Sequence, residues 1–334
     1  MIKKIKIIAE IGVNHNGDTC LAKELVRKAK KTGADIVKFQ FFNADTMVKK
    51  GTKSAKYQIN NTGHSSQYDL LKELELSITQ MEEIKNYCDK IKIEFLCTAF
   101  SADDLKSLLK LGMKKIKIPS GEISNKLLLL QAASSNKEIY LSTGMSDYME
   151  VKRSFSFLKK RTKKRIYLLH CTSLYPAPSD SLNLKFLYNL KNNLTDNIGY
   201  SDHSIGTLAS CLAVSLGAKV IEKHFTLDKS LKGPDHKASL DDKEFKVLVE
   251  KIRETESMLG EKSMKPDKRE TSVKLIVRKS WYAKKFIKKG EILDKNNIIL
   301  KRPLSFLSGW EVPYGKKIKK SIKKGNPIKK IDLM

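Results

Sequence analysis

The chain has 334 residues, 40% of them hydrophobic, and a formal net charge of +28 from 65 Lys+Arg against 37 Asp+Glu. That length exceeds a single (β/α)8 barrel of about 250 residues and leaves material for a small second domain. The longest apolar run, Leu127-Leu130, is too short to cross a membrane. The basic opening Met1-Ile-Lys-Lys-Ile-Lys lacks the apolar stretch of a signal peptide, so the expectation is a soluble cytoplasmic protein. Cys20, Cys88, Cys97, Cys171 and Cys211 are odd in number and never in C-x-x-C spacing, which points away from a disulfide framework or a thiolate zinc site. The lysines are spread along the chain without interleaved aromatics, so the charge fits a field that steers an anionic small molecule better than a nucleic-acid surface.

In chain order, eight short β-rich runs recur: Ile5-Glu10, Asp35-Gln40, Glu94-Thr98, Lys115-Ser120, Glu138-Ser142, Tyr167-Thr172, Ile198-His203 and Val220-Phe225. Helical periods separate them. Leu21, Leu25 and Ala29 recur at i, i+4, i+8 before Gly33, Ser77 with Gln80 forms a capping-box pattern, and Leu208, Leu212 and Leu216 suggest the apolar stripe of another helix. Asp241 with Glu244 opens a last long helix through Phe245, Leu248, Ile252 and Leu259. This cadence predicts an α/β fold, a (β/α)8 TIM barrel over residues 1–260. Residues 261–273 read as a linker, and 274–334 as a small β-rich domain in which Ile287-Lys-Lys-Gly290 recurs as Ile322-Lys-Lys-Gly325.

A barrel of this type gathers its chemistry at the strand C-termini. Those ends carry Glu10, Lys38 with Gln40, Thr98, Lys117 with Ser120, Ser142, Ser201 with His203, and Glu222 with His224. Strand alternation puts Glu222 and His224 on one face, and Ser201 and His203 on one face. The two histidines end neighbouring strands, where paired imidazoles can hold one divalent ion and leave positions open. Glu222, Asp202 and Asp235 accompany them. Lys38 and Lys117 at the mouth of an apolar barrel call for an anion, because a desolvated ammonium must pair or lose its charge. Ser120-Gly121 and Ser142-Thr-Gly144 add hydroxyls and amides suited to phosphate or carboxylate. Glu10 is available as general acid or base, or as a salt-bridge partner of either lysine.

These residues resemble a family. Ile8-Ala-Glu-Ile-Gly-Val-Asn-His-Asn-Gly17, Val37-Lys-Phe-Gln-Phe41, Lys117-Ile-Pro-Ser-Gly-Glu122, Leu141-Ser-Thr-Gly-Met145, His170-Cys-Thr with Tyr175-Pro-Ala-Pro178, Gly199-Tyr-Ser-Asp-His203, Ile221-Glu-Lys-His-Phe225 and Gly233-Pro-Asp-His-Lys-Ala-Ser239 look like the sialic acid synthases. Val277-Arg-Lys-Ser280 through Lys301-Arg-Pro303 looks like their antifreeze-like (SAF) domain.

The resemblance implies condensation of phosphoenolpyruvate with the open aldehyde of an N-acetylated hexose, giving a nine-carbon 2-keto acid and phosphate. N-acetylneuraminate from N-acetylmannosamine is the simplest reading; legionaminic or pseudaminic acid from a diacetamido sugar is the alternative. A non-catalytic sugar- or nucleic-acid-binding barrel is disfavoured by the set Glu10, Lys117, His203 and His224. By resemblance, His203 and His224 would hold Mn, with Mg or Co as alternatives. Lys38, Thr98, Lys117, Ser120, Ser142 and Ser201 would hold phosphoenolpyruvate, and Gln40, Tyr175, Glu222 and Asp235 the sugar. Glu10, Lys117 and Glu222 form the catalytic set, with Glu10 managing protons. The resemblance also implies a domain-swapped homodimer in which Arg302 reaches the N-acyl group in the other subunit's barrel. Three segments depart from the family pattern. Cys97-Thr-Ala-Phe100 replaces S-T-P-F, Ser173 stands where some members have Asn, and Leu304-Ser-Phe-Leu-Ser-Gly309 replaces a G-N-G-I loop.

Overall fold

A computed structural model describes residues 4–260 and 265–334. The chain divides into two compact units, Met1–Gly260 and Glu261–Met334.

In the first unit, eight strands form a closed parallel barrel in sequential order. They are β1 Lys6–Gly12, β2 Ile36–Phe41, β3 Glu94–Ala99, β4 Lys115–Ile118, β5 Glu138–Ser142, β6 Ile166–His170, β7 Ile198–Asp202 and β8 Val220–His224. The expected runs lie within two residues of these bounds. β1 closes the ring by pairing with both β2 and β8. The helices are α1 Thr19–Lys31, α2 Ala44–Met47, α3 Lys56–Thr62, α4 Gln67–Leu74, α5 Ile78–Lys90, α6 Ala102–Lys110, α7 Lys126–Ser134, α8 Tyr148–Lys159, α9 Phe186–Asn193, α10 Leu208–Ser215 and α11 Asp242–Leu259. Each crossover between consecutive strands contains at least one helix, and the β2–β3 connection carries three short ones before α5.

Local chemistry starts the helices where the sequence pattern placed them. Asp18 accepts from the Cys20 and Leu21 N–H groups at the head of α1, and Ser77/Gln80 and Asp241/Glu244 form reciprocal capping boxes on α5 and α11. Leu25 and Ala29 of α1, Met81, Ile84 and Cys88 of α5, and Phe245, Leu248 and Ile252 of α11 are shut from solvent against the strands. Truncating one such Leu or Ile to Ala costs about 2–5 kcal/mol.

α10 departs from expectation. Leu208 and Leu212 are exposed, whereas Ala209, Ser210, Ala213 and Val214 are buried. Small residues let this helix approach the barrel closely, and the leucine spacing marks its outer face.

The second unit contains α12 Glu270–Val277 and an antiparallel pair, β9 Ser280–Ala283 with β10 Ile298–Lys301. Part of the expected linker is therefore helical, and its first residues, 261–264, lie outside the described set, as do residues 1–3. Trp281, Ile287, Leu293, Ile298, Ile318 and Ile322 belong to a core of this unit's own. The two similar segments pair with each other: Ile287 and Ile322 exchange both backbone hydrogen bonds at 2.9 Å, and each is followed by a glycine at positive φ, Gly290 and Gly325. The antifreeze-like assignment of this unit rests on the sequence resemblance.

Candidate active site

Strand register brings the polar strand ends together. Glu10 pairs with Lys38 and with His224, Gln40 with Thr98, Thr98 with Lys117, and Ser201 with Glu222. Paired residues of parallel neighbours point to the same side, so these side chains converge on the barrel axis. They line a cavity of about 480 Å³, which Ser120, Ser142, Tyr175, His203 and Asp235 also line. Thirteen of the barrel positions singled out from the sequence meet there. Arg302 lies on an exposed stretch of the second unit.

Four buried charges form the floor. Lys117 Nζ donates to both Glu222 oxygens at 2.7 and 2.9 Å, and Ser201 Oγ donates to Glu222 Oε1 at 2.8 Å. Lys38 Nζ lies 2.8 Å from Glu10 Oε2 and 3.8 Å from Glu222 Oε2, and it donates to Thr98 Oγ1 at 2.8 Å. Gln40 Nε2 reaches Glu10 Oε1 at 3.4 Å.

The two carboxylates differ in environment. Burial alone would raise Glu222, but Lys117 and Lys38 hold it well below the usual carboxylate range. Burial dominates at Glu10, where Lys38 only partly offsets it, and pushes the carboxyl up to about 7. Glu10 is therefore the floor group able to carry a proton at neutral pH. Burial also pulls Lys117 down, with Glu222 opposing; Lys38 stays high because Glu10 and Glu222 outweigh its own burial. Two ammoniums face one firmly ionised carboxylate and one half-protonated one, which leaves a positive site for an anion.

A second anion-suited wall stands beside the floor. Ser120 Oγ accepts from the Gly144 N–H at 2.9 Å and contacts Cys171 Sγ at 3.1 Å. A Cβ on Gly144 would fall 2.3 Å from Ser173 Oγ and 2.8 Å from Ser120 Oγ, so only glycine lets these hydroxyls close around the turn. Ser142 Oγ is buried there without a hydrogen-bond partner. An unpaired buried hydroxyl costs about 1–3 kcal/mol, which a bound acceptor would offset.

His203 and His224 face each other with ring centroids 5.5 Å apart. The His203 Nδ1 edge meets the Thr172 carbonyl at 2.7 Å, so Nδ1 carries the proton and Nε2 keeps its lone pair. His224 Nδ1 has no hydrogen-bond partner, and Asp235 Oδ2 lies 4.0 Å from it. Burial holds both rings neutral, pushing His203 down to about 4 and His224 well below the usual imidazole range. Two neutral imidazoles with free ring nitrogens fit a divalent cation. Among the described residues, no three His, Cys, Asp or Glu side chains cluster as a fuller cage. Water or substrate oxygens would complete the shell.

Asp202 does not join this group. It pairs in register with Lys223, and both face outward from the barrel, opposite in parity to Ser201, His203, Glu222 and His224. The sequence reading that set Asp202 beside the histidines is corrected by this alternation.

Tyr175 stacks on His203 at 4.3 Å and meets His224 edge-on at 5.8 Å. Sequence reasoning missed Tyr57 and Gln58, which α3 brings to the cavity, and the apolar group Val13, Leu70, Leu71, Leu74 and Phe100. Their only sequence signal is aromatic and amide residues in an aperiodic strand connection.

The closed sheet, its charged floor and its paired histidines define a barrel with one polar candidate site at the strand C-termini. The NeuB family model matches residues 25–264, and the chain belongs to that family. It is 45% identical over 333 residues to the N,N'-diacetyllegionaminic acid synthase of Campylobacter jejuni, covering 98% of this chain and 100% of the relative. To the protein of the same name from Legionella pneumophila it is 45% identical over 311 residues, covering 92% and 87%. Among solved structures, the N-acetylneuraminic acid synthetase of Leptospira borgpetersenii, crystallised with citrate, superposes with a TM-score of 0.72 at 33% identity, covering 81% of this chain and 90% of that one.

Among the described residues, no helix is long and apolar enough to cross a membrane.

Proposed function

We propose that this protein condenses phosphoenolpyruvate with the open aldehyde of a diacetamido hexose, giving a nine-carbon 2-keto acid of the legionaminic type and inorganic phosphate. The observation that carries this reading is the 45% identity, over nearly the whole chain, to two proteins named N,N'-diacetyllegionaminic acid synthase. N-acetylneuraminate synthesis from N-acetylmannosamine, the simplest expectation from sequence, has weaker support, since the N-acetylneuraminic acid synthetase above is 33% identical.

The geometry suits the chemistry. Lys38, Lys117 and the hydroxyls of Thr98, Ser120, Ser142 and Ser201 bind the phosphate and carboxylate of phosphoenolpyruvate through charge-assisted contacts. Gln40, Tyr175, Glu222 and Asp235 orient the sugar, whose aldehyde carbon receives the C3 nucleophile of the enol. His203 and His224 would hold a divalent ion, Mn by resemblance, which supplies Lewis-acid polarisation of the aldehyde oxygen. As the carbon–carbon bond forms, that oxygen gains a proton and C2 of the former enol becomes electron-poor. Water adds at C2 and loses one proton, then the C2–O bond to phosphate breaks as the remaining C2 hydroxyl proton passes to the departing phosphate oxygen, giving the ketone. One proton enters and one leaves, so a single carboxyl poised near neutrality serves both steps. Glu10 has that property.

The test measures inorganic phosphate release from phosphoenolpyruvate with each sugar in turn. The diacetamido hexose should give kcat/KM at least ten times that for N-acetylmannosamine. Equal or reversed preference returns the chain to the N-acetylneuraminate reading, and release with neither sugar removes the synthase assignment.

A further inference from the structure

One wall of the cavity is built by the long β2–β3 connection instead of by strand ends. Its residues 52–67 form a loop closed at the base. Lys53 and Ser66 make an antiparallel bridge, the Ser54 N–H donates to the Ser65 carbonyl at 2.8 Å, and the Gln67 N–H donates to the Thr52 carbonyl at 2.9 Å. At the tip, Asn61 Nδ2 donates to the Pro234 carbonyl at 2.8 Å, which ties α3 to the loop that presents Asp235. A segment held at both base and tip can position side chains as firmly as a strand end.

The side chains it presents are Tyr57 and Gln58. Tyr57 stacks on Tyr175 at 5.2 Å and 22°, and Tyr175 in turn stacks on His203. Tyr57 therefore stands two ring contacts out from His203, on the side of Tyr175 away from where the proposed reaction sets the aldehyde. Gln58 Oε1 is engaged, accepting from the Ala55 N–H at 2.9 Å, and its NH2 approaches the Tyr57 hydroxyl as a donor, which leaves the Tyr57 O–H and the second amide N–H to donate onward. Burial, with Asp235 nearby, raises the Tyr57 pKa and keeps its hydroxyl protonated. Beyond the bridged base of this loop, α4 adds Leu70, Leu71 and Leu74 to the cavity lining, where they pack with Val13 and Phe100 as an apolar wall.

Two donors beside an apolar wall form a poor site for a hydroxyl-rich sugar tail, because hydroxyls pressed on that wall lose hydrogen bonds to water without replacement. They suit an acylamino group, whose carbonyl oxygen accepts from the donors while its methyl lies on the apolar side chains. We infer that Tyr57 and Gln58, with the apolar wall of Val13, Leu70, Leu71, Leu74 and Phe100, receive the second acylamino group of the substrate and are specificity-determining residues. The inference rests on the diacetamido reading above.

Two conservative variants of the full chain test it. Gln58→Glu keeps the oxygen that caps α3 and replaces the donor; Tyr57→Phe keeps the stack on Tyr175 and removes the hydroxyl. Each should raise KM for the diacetamido hexose by about 3- to 10-fold, the usual worth of one neutral hydrogen bond, while KM for phosphoenolpyruvate and kcat/KM for N-acetylmannosamine stay within twofold. The inference is overturned if both sugars lose equally, which would mark a structural role, or if neither sugar responds. A wild-type protein that releases no phosphate with the diacetamido sugar overturns the functional reading and this inference together. Wild-type turnover with unselective variants overturns this inference alone.

Discussion

Lys223 Nζ lies 3.0 Å from Asp202 Oδ2 in a position where neither side chain meets solvent. The pair spans β7 and β8 on the outer face of the barrel, one residue from His203 on one strand and from His224 on the other. Further hydrogen bonds surround the pair. Asp202 Oδ1 accepts from the Ser204 N–H and Oγ, Oδ2 accepts from Ser210 Oγ, and Lys223 also donates to the Ser204 carbonyl. Burial this complete favours a pair and penalises a lone charge.

Breaking the pair from one side should therefore cost more than removing it. Asp202→Ala leaves a buried ammonium and is expected to lose about 3–5 kcal/mol of stability, whereas Asp202→Ala with Lys223→Met should recover most of that loss. Urea unfolding midpoints of the two variants make the comparison. Equal destabilisation of single and double variants would mean that the pair contributes through packing alone.

Metal removal follows from the facing neutral imidazoles. Turnover should vanish in excess chelator and return with Mn. After dialysis against Mn, His203→Ala and His224→Ala should each retain less than a tenth of the metal bound by wild type, at unchanged secondary structure by circular dichroism. Full phosphate release in excess chelator would refute the assignment of His203 and His224 as ligands.

The pH dependence turns on Glu10. Its folded-state pKa is raised to about 7, so it is protonated below that pH and ionised above it. As the acid that supplies the aldehyde oxygen with its proton, it should contribute activity present below pH 7 and lost as pH rises through 7. Profiles of kcat/KM should show that alkaline limb in wild type, and Glu10→Gln should flatten it while lowering the plateau by about 10²–10⁴-fold. A limb of the opposite sign would make Glu10 start the cycle as a base. For stability the sign is also fixed: ionising a carboxyl with a raised folded-state pKa disfavours the fold, so this group's contribution falls as pH rises from about 4.5 to about 7 and is level above that.

Much of the barrel was legible in the sequence because a parallel strand buried on both faces reads as a short β-branched run and each run ends on the side chain that reaches the axis. Parity within Lys219–His224 sufficed to separate Glu222 and His224 from Lys223. The same parity, applied to Asp202, would have kept it away from the histidines; proximity in sequence was mistaken for proximity on a face. Leu208 and Leu212 misled because leucine spacing marks an apolar stripe without saying whether barrel or solvent covers it. Helix α12 was lost in a polar segment where capping and period are both weak. Tyr57 and Gln58 were hidden for a different reason. Their place in the cavity depends on a bridge between Lys53 and Ser66 and on the Asn61–Pro234 contact, long-range pairings that leave no local periodicity.

The last prediction concerns Arg302, which lies in the second unit more than 75 residues beyond the final barrel strand. The family resemblance gives it the N-acyl group of a sugar held in another subunit's barrel, and the proposed homodimer makes that assignment testable by complementation. Glu10→Ala and Arg302→Ala should each be inactive alone. In a mixed dimer under the swapped arrangement, one site collects both defects and the other collects none. If half of the dimers are mixed, about a quarter of wild-type activity should therefore reappear on mixing under conditions of subunit exchange. If Arg302 instead serves the barrel of its own chain, each site of the mixed dimer carries one defect and activity stays at zero. Native mass spectrometry of differently tagged chains confirms the exchange, so zero recovery with proven mixed dimers rejects the swapped arrangement, and absence of any dimer rejects the assembly on which it depends.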